Sequence, residues 1–231
     1  MSHVQHAAHR IQFFYDPISP YAYLAFEQLP KALTGLNYSV TYTPILFAGL
    51  LKTYGQLGPA EIAPKRDWTY RQVLWQAKQL GIDFEMPASH PFNPLPLLRL
   101  AAACGDEQAD GTYNTNRFMT QQIFNHVWHG GADAADAPRL ATLAQALSSQ
   151  IRTDEATAKA RLKANTDKAL QAGVFGVPSF VIGKDTGQKV FWGLDSLPML
   201  REYLEGSVWF DAKTVNGWSS VAEINVGIKR V

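Results

Sequence analysis

The stretch that most restricts how this chain can fold is a short apolar run followed at once by a capped helix start. Ile11-Gln12-Phe13-Phe14-Tyr15 is rich in residues that suit a pleated, buried strand. Asp16-Pro17-Ile18-Ser19-Pro20 then turns the chain, and an amphipathic segment continues through Leu24, Leu29 and Leu33 to Gly35. Ser19 reads as the N-cap and Pro20 suits the first helical position. Gly35 is a good C-terminal breaker. Tyr38 to Tyr42 alternates and reads as a second strand. A strand-helix-strand unit of this length implies parallel strands joined by a right-handed crossover.

The middle of the chain changes character. From about residue 48 to 172 the periodicity is helical, with helices expected over 64–80, 94–103, 111–128, 138–147 and 154–172. Strands return at Ser179 to Ile182 and at Lys189 to Trp192, joined by a turn at Asp185-Thr186-Gly187. Asp195 or Ser196 then caps a last helix through Leu204, and a tail with Trp209, Phe210 and Trp218 follows. Those aromatics suggest docking onto the body or onto a second subunit. The expected fold class is α/β, a βαβ…ββα scaffold interrupted by an all-helical insertion. The division reads 10–47 with 173–206 as one discontinuous domain, 48–172 as the helical insertion and 207–231 as the tail.

Composition excludes more than it selects. The 231 residues carry a formal net charge of +1 with the basic residues scattered, so nothing favours nucleic acid. No apolar run is long enough to span a bilayer. Met1 to Arg10 holds His3, His6 and His9 and no apolar core, so it reads as a disordered polar tail rather than a secretory signal. Cys104 is the single cysteine. It cannot form an internal disulfide, which suits a reducing cytosol, and it reads as a buried structural thiol.

Three motifs carry the chemistry. The turn before the first helix is where thiol-disulfide oxidoreductases of thioredoxin-like fold place C-x-x-C, since a helix N-terminus favours a thiolate. Here the four positions are Ser19-Pro20-Tyr21-Ala22, so the chain has no redox pair there. A hydroxyl in that place points to a site that activates the sulfur of another molecule. Gly173-Val174-Phe175-Gly176-Val177-Pro178-Ser179-Phe180 sets a proline just before a strand. In thioredoxin-like folds a cis-proline at this place lets the preceding residue, here Val177, pair with an extended peptide. Phe191-Trp192-Gly193-Leu194-Asp195 puts a carboxylate beside the N–H donors of a helix start, a combination suited to an amino acid's ammonium and carboxylate. Other candidates weigh less. Tyr54, Trp68, Tyr70, Trp75, Phe84, Phe118 and Trp128 read mostly as core, with one or two lining an apolar pocket. Asn93 reads as a turn residue or a polar contact, and His126 with His129 as a solvated helix end rather than a metal site.

On Phe13-Phe14-Tyr15-Asp16 with Ser19-Pro20-Tyr21-Ala22-Tyr23-Leu24, on Gly173 to Pro178 and on Phe191 to Asp195, the chain resembles the family of 2-hydroxychromene-2-carboxylate isomerases and kappa-class glutathione transferases, DsbA-like proteins of thioredoxin fold. The resemblance is weaker through His90-Pro91-Phe92-Asn93-Pro94-Leu95 and covers roughly residues 10–206. It implies glutathione as cofactor or cosubstrate, with Ser19 hydrogen-bonded to the sulfur and favouring its thiolate. It further implies that Val177, ahead of Pro178, pairs with the cysteinyl backbone, that the Leu194 N–H takes the γ-glutamyl carboxylate and that Asp195 holds the ammonium. Gln56 and Lys65 are the nearest matches to an Asn and a Lys used by kappa enzymes, and Leu194 stands where those enzymes commonly have Ser. The implied activity is a cytoplasmic, homodimeric, glutathione-dependent isomerase of an aromatic-derived acid. A bound thiolate would add to a conjugated carbon and later leave. A kappa-type transferase and a non-catalytic carrier of glutathione conjugates are the alternatives.

Overall fold

A computed structural model describes residues 8–183, 187–211 and 217–223. Its central element is a four-stranded mixed sheet in the order β2 (Tyr38–Pro44), β1 (His9–Tyr15), β5 (Ser179–Ile182), β6 (Lys189–Trp192). β1 and β2 are parallel, with Phe13 opposite Tyr42, and α1 (Pro20–Ala32) makes the crossover. β5 is antiparallel to both β1 and β6, pairing Phe14 with Ser179 and Ser179 with Trp192. The first strand starts at His9, inside the stretch expected to be a polar tail; His3 and His6 lie outside the described residues, as do Asp185 and Thr186 of the β5–β6 turn.

Both sheet faces are covered, so the strands carry apolar residues on both sides. On one face Phe13, Tyr15, Phe180 and Phe191 pack with Tyr23 and Phe26 of α1, Phe124 and Trp128 of α5 (Arg117–Trp128) and Leu200 of α8 (Leu197–Leu204). On the other, Phe14, Val181 and Val190 meet Leu50 of α2 (Phe47–Tyr54) and Ala169 of α7 (Glu155–Gln171). Trp209, Phe210 and Trp218 dock onto the body: the rings of Phe210 and Trp218 lie 6.0 and 5.4 Å from Phe191.

Between β2 and β5 the remaining helices are α3 (Ala63–Leu80), α4 (Leu95–Ala103) and α6 (Ala137–Ala146). This stretch is not wholly helical. The expected helix over 111–128 begins only at Arg117, where Asn116 accepts the Met119 N–H at 2.9 Å. Ahead of that cap, β4 (Tyr113–Asn114) pairs with β3 (Asp106–Glu107). Helix α1 tolerates Pro30 in its last turn for a visible reason. Proline has no N–H for the Phe26 carbonyl, and Arg117 Nη1 donates to that carbonyl instead, at 3.2 Å, while its guanidinium lies 4.1 Å over the Phe26 ring.

The aromatic residues of this stretch divide differently from expectation. Trp128 is fully buried, but Trp68 and Trp75 are 64 and 60 % exposed, and Tyr54 and Phe118 are also exposed. Helix α3 buries only a narrow stripe, Val73 and Ala77, so tryptophans flanking that stripe stay in solvent.

Candidate functional site

Ser19 sits at the N-terminus of α1 as its N-cap. The side-chain oxygen accepts the Ala22 N–H at 3.2 Å, and Pro20 opens the helix as its sequence position requires. The hydroxyl hydrogen points at the Val177 carbonyl from 3.5 Å, at the outer limit of a hydrogen bond. The Val177–Pro178 peptide is cis. Val177 lies two residues outside the β1–β5 ladder, and its N–H gives no hydrogen bond among the described residues. The Pro178 carbonyl in turn accepts the Gly193 N–H at 3.0 Å. Ser19, Val177-Pro178 and Gly193-Leu194-Asp195, distant in sequence, therefore form one continuous hydrogen-bonded edge.

Asp195 does not cap the last helix, and neither does the side chain of Ser196. A 3-10 turn, Leu194–Ser196, precedes α8, and Ser196 Oγ donates to the Gly193 carbonyl at 2.8 Å. The Asp195 carboxylate is exposed and folds back over Gly193, whose φ of +94° and lack of a side chain leave room for it. The Leu194 N–H, at the start of this turn, has no acceptor within it and none among the described residues. Asp195 and Leu194 line a cavity of about 460 Å³ between α1, α3 and α8, together with Gln28, Trp75, Gln76 and Arg201. Burial raises the Tyr21 hydroxyl pKa, the Asp195 charge adds to the effect, and the hydroxyl donates to Gln72 of α3 at 2.7 Å.

Several residues that hold the turn went unassigned in the sequence. Asp16 is fully buried; its carboxylate accepts the Ile18 N–H at 3.0 Å and the Phe47 N–H at 2.9 Å. Burial pushes its pKa up to about 7, against the pull of those two donors. Trp128 Nε1 donates to the Pro17 carbonyl at 3.1 Å and His90 Nε2 to the Ile18 carbonyl at 2.8 Å. Burial holds His90 below its ordinary pKa. The Asp in Asp16-Pro17-Ile18-Ser19 was a usable signal; the partners of the turn were not.

The remaining candidates are dispersed. Gln56 is exposed just beyond the left-handed Gly55 cap of α2, and Lys65 is exposed in the first turn of α3. No hydrogen bond or ion pair among the described residues joins either to Ser19, Val177 or Asp195. Asn93 accepts the Leu95 N–H at 3.1 Å and orders its own turn. His126 and His129 are structural rather than a solvated helix end: His126 Nε2 donates to the Ala134 carbonyl at 3.0 Å and His129 meets the Tyr23 hydroxyl at 2.7 Å. Burial raises the Cys104 thiol to about 11, which keeps it protonated. Among the described residues no helix is long and apolar enough to cross a membrane.

Residues 10–205 match the DSBA-like thioredoxin domain. The chain is 28 % identical over 223 residues to glutathione S-transferase kappa 1 of Rattus norvegicus, covering 86 % of this chain and 92 % of that protein. It is 27 % identical over 207 residues to 2-hydroxychromene-2-carboxylate isomerase of Sphingobium xenophagum, covering 84 and 97 %. A solved 2-hydroxychromene-2-carboxylate isomerase superposes with a TM-score of 0.67 at 22 % identity, covering 85 % of this chain and 94 % of that one. The chain belongs to the DSBA-like thioredoxin domain family, and kappa-class glutathione transferases and 2-hydroxychromene-2-carboxylate isomerases are among its relatives.

Proposed function

We propose that this protein is a glutathione-dependent isomerase of an aromatic-derived acid, of the type that acts on 2-hydroxychromene-2-carboxylate. The observation that carries the reading is the Ser19 hydroxyl, which caps α1 with its oxygen yet holds its hydrogen loosely, 3.5 Å from Val177 O. It can turn that hydrogen to a sulfur at the helix start without giving up the cap. The neighbouring groups fit the rest of a γ-glutamyl tripeptide. Among the described residues the Val177 N–H and the Leu194 N–H have no acceptor, and the exposed Asp195 carboxylate suits an ammonium. Glutathione, when bound, supplies the thiol nucleophile. Ser19 and the N-terminus of α1 favour its ionised form, because a hydrogen bond to the charged state and the helix dipole both lower a thiol pKa. The reading keeps Gln56 and Lys65 as contacts to the glycyl end, Gln56 being exposed ahead of the site-facing helix α3 and Lys65 exposed in its first turn. It also keeps a cytoplasmic homodimer, for which the exposed Trp68 and Trp75 offer apolar surface and sedimentation is the test.

The experiment is turnover of 2-hydroxychromene-2-carboxylate followed by absorbance, with and without glutathione, for wild type and Ser19→Ala. Interconversion that needs glutathione, leaves its concentration unchanged and is lost in the variant supports the isomerase. Stoichiometric consumption of glutathione would replace it with a transferase. Tight glutathione binding with no turnover of any electrophile would replace it with a carrier. No binding at all would end the glutathione reading.

A further inference from the structure

The peptide between Ile18 and Ser19 is held at both ends. The Ser19 N–H donates to the Asp16 carbonyl at 3.0 Å, and the Ile18 carbonyl accepts from His90 Nε2 at 2.8 Å. His90 belongs to none of the three motifs. It comes from the loop between α3 and α4 and is 72 residues from Ile18.

The protonation pattern of its ring follows from its partners. A carbonyl oxygen only accepts, so Nε2 carries a proton. In a neutral imidazole Nδ1 is then the acceptor, and the Tyr70 hydroxyl lies 2.7 Å from it. The same hydroxyl lies 2.9 Å from the His90 carbonyl. The hydroxyl has one hydrogen for these two acceptors; directed at Nδ1, it favours the tautomer that keeps the proton on Nε2, in the way an outer partner orients a functional histidine. The ring is also enclosed sideways, 5.6 Å from Trp128 and 6.0 Å from Phe92.

The next group along this chain of bonds is the N-cap hydroxyl itself. That peptide ends on the Ser19 Cα, so the placement of the Ile18 carbonyl bears on the Cα–Cβ bond that carries the capping hydroxyl.

We propose that His90 is a positioning residue of the site, acting through the Ile18 carbonyl to set the direction of the Ser19 hydroxyl, with Tyr70 selecting the tautomer that allows it. The kinetic part of this proposal rests on the glutathione reading above; the structural part does not.

The test compares His90→Leu, His90→Gln and Tyr70→Phe in the full-length protein. His90→Leu has no donor for Ile18. His90→Gln keeps an N–H at a similar reach and is the rescue. Hydrogen exchange of the Ser19 amide, read by NMR without ligand, comes first. Its protection is expected to fall about tenfold in His90→Leu, the size of one hydrogen bond, and to recover substantially in His90→Gln. Tyr70→Phe should fall between them and add the ¹⁵N signature of the second tautomer at His90. The bound glutathione thiol then provides a readout that loss of packing alone would not move. Its pKa should rise in His90→Leu and return toward wild type in His90→Gln, with kcat following it and KM for glutathione nearly unchanged. Unchanged Ser19 protection in His90→Leu overturns the proposal. So does a His90→Gln variant as impaired as His90→Leu, because packing and not the donor would then matter. If wild type does not bind glutathione, the functional reading falls, and the exchange data still decide the positioning role.

Discussion

Replacing Ser19 with Ala removes two separable things, and their sizes can be worked from the geometry. The first is the cap. Ser19 Oγ accepts the Ala22 N–H at 3.2 Å, and loss of such a cap costs about 1 kcal/mol. For a chain of this size that is a fall of about 2–4 °C in Tm. The 3.5 Å contact to Val177 adds little to that sum. The second is a donor to sulfur. A hydrogen bond to an ionised group contributes about 1.5–3 kcal/mol, and one pKa unit is about 1.4 kcal/mol, so the bound thiol should titrate about 1–2 units higher in the variant. The dipole of α1 remains, worth about 0.3–1 kcal/mol, so part of the depression from the free thiol value of about 8.5 should survive. The assay is a pH titration of the far-ultraviolet thiolate absorbance of bound glutathione, beside thermal melts of the same samples. Ser19→Thr should keep both effects. If Ser19→Ala lowers Tm by the expected amount while the thiol pKa stays at the wild-type value, Ser19 is a cap and no more, and the argument from its loosely held hydrogen is wrong.

Asp16 gives a pH prediction. Its carboxyl is harder to ionise in the fold, at about 7, than at its ordinary 3.8. Between those values the unfolded chain binds fewer protons, so stability should fall as pH rises through that window, and Asp16→Asn should flatten the slope. Asparagine offers one oxygen to two backbone donors, so the variant should also lose about 1–3 kcal/mol at pH 5, with the gap to wild type closing toward pH 8 in urea melts; a gap that widens with pH would refute the assignment. Gly193→Ala should raise the Kd for glutathione as much as Asp195→Ala does, because a β-carbon there runs into the Asp195 carboxylate and the φ of +94° disfavours it; calorimetry that finds wild-type affinity would show the carboxylate does not bind. Cys104, buried and raised to about 11, should react with a thiol reagent at least about 100-fold more slowly in the native protein than in urea, and Cys104→Ala should keep wild-type turnover; rapid labelling of the native protein would contradict its burial.

Much of this protein is legible along the chain because the signals are local. The four strands of the sheet, the helix capped by Ser19 and the proline before β5 announce themselves through periodicity, caps and proline positions, which need only neighbouring residues. Helix α2 carries no such announcement. Gly49 sits inside it, Leu46 offers no capping side chain, and the N–H groups of Leu46 and of Phe47, its first residue, are taken by Thr166 and by Asp16, 120 and 31 residues from their partners. The exposed Trp68 and Trp75 were unreadable for the same reason, since apolar character says nothing about which side of α3 meets the body. The site divides in the same way. Ser19, Val177, Pro178 and Asp195 could be named from motifs. That the Ser19 hydroxyl faces Val177 across 158 residues, that Asp195 turns back over Gly193 instead of capping α8, and that His90 holds the peptide ahead of Ser19 all depend on strand register and loop placement. Those are set by packing both faces of one sheet at once, and only the folded chain carries that information.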